Sequence, residues 1–222
     1  MDKGVGVNTE DDILAVARER LRVEARAVAA LADTVDDTLV TAASMILSCT
    51  GKLFIGGSGT SGTVARRMAH IFSVTGTPAL ALSPMDALHG ASGAIVSADL
   101  VLLISKGGAS DEVTQLARIA QGRGARVIAL TRSHETPLAQ IADHSVVVSV
   151  PAEAEIGGIV ATGITIAQSA WGDALAEVLM RGRGYTWGEF MTTHPAGAVG
   201  RLEDLPANPE HLSIPAVVEA TP

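Results

Sequence analysis

The sequence predicts an α/β sandwich in three layers, a five-stranded parallel sheet flanked by helices. Three observations carry this. Five short apolar runs, KLFIGG, PALALS, LVLLIS, RVIALT and HSVVVSV, show no polar alternation, as strands buried on both faces require. Stretches of helical period lie between most of them. Two of the runs end in Gly/Ser-rich loops that open the next helix.

In order along the chain, residues 10–32 read as a helix, with Ile13, Leu14, Val16, Ala17, Leu21, Val23, Ala25 and Leu31 near helical spacing. Residues 34–49 read as a second helix with an acidic start at Asp36 and Asp37. Together, residues 1–50 form an N-terminal helical segment expected to pack on the domain or on a partner subunit. The main domain is expected over 51–202. In it, strand KLFIGG leads to a helix over 60–74, then PALALS, LVLLIS, a helix over 110–123, RVIALT, a short helix over 137–142 and HSVVVSV. A long helix over 160–181 follows, closed by Gly182 and Gly184, and a short one over 187–193 precedes HPAGAVGR. Residues 203–222 have several prolines and no period. They read as a tail, partly disordered or lying on a neighbour.

The 222 residues suffice for one full core, and 47% apolar against 18% charged residues excludes wholesale disorder. With only 3% aromatics the core must be aliphatic. A net charge of −8 argues against nucleic acid or an anionic membrane as partner, since both need a basic footprint. An anionic small molecule is not excluded, because backbone amides at helix starts bind phosphate without net charge. The single cysteine, Cys49, forbids an internal disulfide and reads as a small buried hydrophobe. No apolar leader or membrane-length run is visible, so a cytoplasmic location is expected.

Two loops carry the chemistry. Gly57-Ser58-Gly59-Thr60-Ser61-Gly62 joins a strand to a helix, where glycines let a ligand approach and free amides favour an anion. A dinucleotide site is the alternative, but its acidic residue is missing, since the next strand ends ALALSP. A tight turn with no ligand is the other. Ser105-Lys106-Gly107-Gly108-Ala109-Ser110 repeats the arrangement and suits a phosphate monoester. Its structural alternative makes Ser110 an N-cap, Asp111 and Glu112 first-turn acids, and Lys106 an exposed loop lysine. Finally, Glu153, Glu155 and His194 are side chains able to move protons near neutrality, although ordinary loop residues look the same in sequence.

Residues 50–202 resemble the sugar isomerase (SIS) domain of arabinose-5-phosphate isomerases. The resemblance lies in GSGTSGTVARRMAHIFSVTGTPA, PMDALHGASGAIVSADLVLLIS, ADHSVVVSVPAEAE, GDALAEVL and THPAGAVGR, the last similar to the family's HPGGALGR. It implies a five-stranded parallel sheet, homotetramers with active sites at subunit interfaces, and cofactor- and metal-free interconversion of a ketose and an aldose phosphate through an enediol. Carried over, Ser105–Ser110 is the phosphate loop, with Lys106, Gly107 and Ser110 in it and Ser58, Thr60 and Ser61 helping. Glu112 and Glu153 are the carboxylates, His194 is a histidine supplied by a neighbouring subunit, and His89 lies near the sugar. Two departures stand out. The family's GKSG is here Gly59-Thr60-Ser61-Gly62, so Thr60 replaces a lysine. The family's SNSGES is here Ser105 to Ser110 with Lys106 gained. The paired regulatory cystathionine-synthase-type modules that often follow such a domain are not expected. The resulting expectation is an isomerase with Glu153 as base, Glu112 positioning hydroxyls and His194 shuttling a hydroxyl proton. A non-catalytic sugar-phosphate sensor, a hexulose-phosphate isomerase and an amino-sugar phosphate lyase are the alternatives.

Overall fold

A computed structural model describes residues 9–202 and 204–216. The leader reading and the end of the tail concern in part residues 1–8, 203 and 217–222, which lie outside the described residues. The strands are β1 (Leu53–Gly57), β2 (Ala79–Ala81), β3 (Leu100–Ile104), β4 (Arg126–Thr131) and β5 (His144–Val147), and every pairing is parallel, in the order β2-β1-β3-β4-β5. The helices are α1 (Glu10–Ala32), α2 (Asp37–Ser48), α3 (Gly59–Val74), α4 (Pro84–Leu88), α5 (Asp111–Gly122), α6 (Pro137–Ile141), α7 (Gly163–Arg183) and α8 (Trp187–Thr192).

Alternate residues of each strand face opposite cores, as a pleated strand dictates. Ile55, Leu100, Leu102, Ile104, Ile128 and Val146 join Ala42 and Ile46 of α2, Met68 and Phe72 of α3, and Trp171, Leu175 and Leu179 of α7. Phe54, Val101, Leu103, Val127 and Ala129 face the other way, onto Ala87 of α4, Val113, Leu116 and Ala120 of α5, and Leu138 of α6. This double burial is why the strands read as unbroken apolar runs. α2 is part of the first core, whereas α1 contributes mainly Ala27 and Leu31 and leaves Ile13, Val16 and Leu21 exposed.

Several local expectations change. α4 and a 3-10 turn over Ala91–Ala94 fill the stretch between PALALS and LVLLIS, to which the sequence reading assigns no element. α4 is too short to show a period, although Ser83 capping Asp86 ahead of Pro84 is a legible start signal. Gly182 lies inside α7, and the helix closes on Gly184 alone. Residues 204–216 are a strap on their own chain rather than a loose tail: Trp187 donates from its backbone N to Asn208 Oδ1 at 2.9 Å and from Nε1 to the Ala207 carbonyl at 3.1 Å. Cys49 is partly buried, its Sγ lies 3.3 Å from the Ala98 carbonyl, and burial pushes its thiol up, away from reactivity. Among the described residues no helix is long and apolar enough to cross a membrane.

Candidate active site

In an open parallel sheet, ligands bind beyond the carboxyl ends of the strands, where the chain's path reverses from one side to the other. Here β1 has β2 on one side and β3 on the other, so the reversal lies between β1 and β3. Gly57 ends β1 directly opposite Ile104 at the end of β3. The two Gly/Ser loops therefore leave the sheet side by side, at this switch point.

Both loops deliver helix starts that their own side chains do not close. Ser58 is the N-cap of α3 and Ser110 of α5, and neither hydroxyl caps its helix. Thr9, Asp36, Ser83, Thr136 and Thr186 each accept a bond from the first turn they precede, whereas Thr162 of α7 also leaves its helix start without a side-chain cap. Two helix N-termini with uncapped first turns, converging at one crevice, make an anion site. The loops also touch. The Ser58 hydroxyl, followed by Glu112's own backbone N–H, holds the Glu112 carboxyl below the usual glutamate range, although Ser58 Oγ closes no well-formed hydrogen bond and is buried.

Within the second loop Ser105 is buried and turned inward, its Oγ accepting from Gly108 N at 3.1 Å. Gly108 has φ +62°, and a Cβ there would come within 2.5 Å of the Thr136 side chain, so no other residue fits. Gly107 faces open space. Lys106 does not stand free as a replacement cation for the phosphate. Its Nζ lies 2.7 Å from Oε1 of Glu155, whose side chain is only 2% exposed. Oε2 of Glu155 accepts from Thr162 N at 2.7 Å, so the Lys106–Glu155 pair ties the second loop to the start of α7.

This revises the reading of the two acids. Residues Ala152–Ala154 form a 3-10 turn. Glu155 is buried as a structural anchor, while Glu153 is exposed and beside α1. Glu153 lines an apolar groove with Ile13, Val16, Val23 and Ile156, and its backbone carbonyl accepts from Arg20 Nη2 at 2.8 Å. His194 is half-buried after α8, its Nδ1 lying 2.9 Å from the Phe190 carbonyl. Neither Glu153 nor His194 bonds through its side chain to either loop within the chain. His89 and Thr60 are exposed, and Ser61 is half-buried.

A cavity of about 440 Å³ opens beside the first loop, lined by Ser58, Gly59, Gly62, Ser83 and Asp86, with Arg66 also on its wall. Arg66 escaped the sequence reading. Its spacing of one helical turn from Gly62 is the signal that places it on the same face of α3. Among the described residues no cluster of three or more His, Cys, Asp or Glu is placed to hold a metal ion.

The model of the SIS domain family matches residues 45–178. Arabinose 5-phosphate isomerase KdsD of Salmonella typhi is 35% identical over 190 residues, 86% of this chain and 58% of that protein. Arabinose 5-phosphate isomerase GutQ of the same organism is 34% identical over 216 residues, 95% of this chain and 67% of that protein. Thus the chain spans a little over half the length of the KdsD protein. Among solved structures, an Escherichia coli CFT073 protein in complex with arabinose 5-phosphate superposes with a TM-score of 0.82 at 30% identity, covering 85% of this chain and all of that one.

Proposed function

The chain belongs to the SIS domain family, and from that premise we propose that it is a phosphosugar aldose–ketose isomerase acting on a pentose 5-phosphate of the arabinose 5-phosphate/ribulose 5-phosphate kind. The observation that carries this is the pair of uncapped helix starts at Ser58 and Ser110, meeting at the switch point. The phosphate sits on the first turn of α5, and the open-chain sugar runs from it across the crevice, with Thr60, Ser61 and His89 along its edge. Glu153 removes the proton from the carbon next to the carbonyl. The electron pair shifts to the carbonyl oxygen to give an enediolate, His194 moves the hydroxyl proton, and the proton returns to the neighbouring carbon. Ionised Glu112 accepts from sugar hydroxyls.

Exposed Glu153 and half-buried His194 fit this scheme if each serves the loops of a neighbouring copy. We therefore propose a homotetramer with active sites at its subunit contacts, in which the apolar groove of Ile13, Val16 and Ile156 around Glu153 is covered. Light scattering at micromolar concentration is expected to give an oligomer mass. A monomer with full activity would remove the shared site.

Ser110→Ala is expected to weaken sugar-phosphate affinity by about 1–2 kcal/mol, the scale of a hydrogen bond to a charged group. Ser105→Ala is expected to lose a similar amount, through slackening of the loop that its Oγ holds at Gly108 N. Calorimetric titration checks both, and unchanged affinity in the two variants would place the phosphate elsewhere.

One observation favours a second reading, a sugar-phosphate sensor without turnover: Thr60 stands where the family has lysine, and the gained Lys106 is engaged by Glu155. Deuterium exchange at the carbon next to the carbonyl, across a panel of phosphorylated tetroses to heptuloses, separates the two. The isomerase exchanges one of them with solvent, and the sensor binds without exchange.

A further inference from the structure

We infer that the strap over 204–216 is a positioning element for His194, acting through Asn208, Trp187 and Phe190; this rests on the reading of His194 as a proton carrier. α8 cannot hold itself in place. It has six residues, none of them buried, and a helix so short is unstable alone. What it lacks in burial the strap supplies. Asn208 Oδ1 takes the backbone N–H of Trp187, the first residue of α8, and the Ala207 carbonyl takes its indole N–H. The strap is itself pinned to the body of the domain. Leu212 N donates to the Arg181 carbonyl, and Ile214 packs on the main core beside Leu47. Gly182 gives Ile214 its seat, because a Cβ there would come within 2.8 Å of Ile214 Cδ1. Pro206, Pro209 and Pro215 keep the strap extended and reduce the freedom it loses on docking.

From Trp187 the constraint passes through aromatic contacts. Trp187 meets Phe190 edge to face, with centroids 5.9 Å apart and planes at 84°. Phe190 stacks on the His194 ring at 3.9 Å and 18°. The Phe190 carbonyl, which can only accept, lies 2.9 Å from His194 Nδ1. Thr193 Oγ1 lies 3.1 Å from the same Nδ1 and gives its own proton to the Phe190 carbonyl at 2.9 Å, so Nδ1 is the donor toward both oxygens and Nε2 is left free to take a proton. Strap, indole, phenyl ring and imidazole form one continuous support, closed between residues 21 apart in sequence. Without the Asn208 tie, the strap holds α8 only through the Ala207 carbonyl on the Trp187 indole.

The test compares Asn208→Ala, which removes the acceptor, with Asn208→Asp, which retains it, in the full chain. Asn208→Ala is expected to lower kcat by about fivefold, the factor that a typical neutral hydrogen bond contributes, with KM within about twofold because the substrate is held by the β1 and β3 loops. The ¹⁵N signals of the His194 ring are expected to move from a fixed Nδ1–H pattern toward tautomer averaging, and Asn208→Asp is expected to restore both readouts. Trp187→Phe, which loses the indole donor and one ring of the contact with Phe190 but keeps the backbone N–H that Asn208 accepts, is expected to shift the same ring signals and provides the readout if Asn208→Ala does not fold. Ring signals unchanged from the native protein in Asn208→Ala and Trp187→Phe would overturn the inference. If the native protein exchanges no sugar proton, the isomerase reading fails, while the ring signals still decide whether the strap positions His194.

Discussion

Glu153→Gln is expected to abolish isomerisation and proton exchange next to the carbonyl, while sugar-phosphate binding stays within about threefold. The amide keeps the shape and polarity of the carboxylate but cannot accept a proton, and a positioned base contributes about 10²–10⁴ in rate. Binding survives because ground-state affinity comes from the amides and hydroxyls at the starts of α3 and α5, which the substitution does not touch. The exposure of Glu153 in one chain sharpens the test. If the apolar groove around it is covered by a second copy, dilution that dissociates the oligomer should remove activity as the substitution does. Near-normal turnover of Glu153→Gln, with loss in Glu112→Gln or His194→Ala, would move the base to one of those two.

Lys106→Met is expected to destabilise the fold by about 2–3 kcal/mol, and Glu155→Gln by about 1 kcal/mol. The asymmetry follows from burial. Removing Lys106 leaves the Glu155 carboxylate, 2% exposed, without its counter-charge, whereas removing the charge of Glu155 frees a lysine that is already 34% exposed and can turn to water. The larger figure lies below that of a fully buried pair because solvent screens the lysine. Glutamine still offers an acceptor to Thr162 N. For a chain of this size about 2–3 kcal/mol lowers Tm by roughly 5–10 °C, which calorimetry resolves. Equal losses in the two variants would mean that the pair does not anchor the loop.

The sheet and the long helices were legible because their signals are local. Double burial makes strands uniformly apolar, and α5 and α7 show their period over many residues. The two Gly/Ser loops were legible for the same reason, since each follows its strand directly. The Lys106–Glu155 pair was not, because it joins residues 49 apart and depends on a 3-10 turn that the acids' two-residue spacing hides. In sequence the two acids are equivalent loop residues, and nothing marks which is buried. Glu155 is the buried member. The strap was illegible because prolines give no period and its partners, Trp187, Arg181 and Leu47, lie on other elements. Arg66 was passed over as one of two adjacent arginines on a helix with no visible reason to prefer either.

The position of the site between β1 and β3 also sets when it comes into being. β1 is formed from residues 53–57 but cannot meet β3 until the chain extends past residue 104, and the second uncapped helix of the site, α5, starts only at Asp111. Closing that interval is the slow kind of step, because the entropy of a long loop is lost before any contact is gained. On a ribosome, the first half of the sheet therefore emerges with an apolar edge, the first Gly/Ser loop and the cavity beside it, but without the second loop. A ligand that needs both loops cannot assist that early stage, since the second is brought beside the first by the central strand pairing itself. A ligand held by both loops would stabilise the finished protein by mass action, but it would not template the pairing.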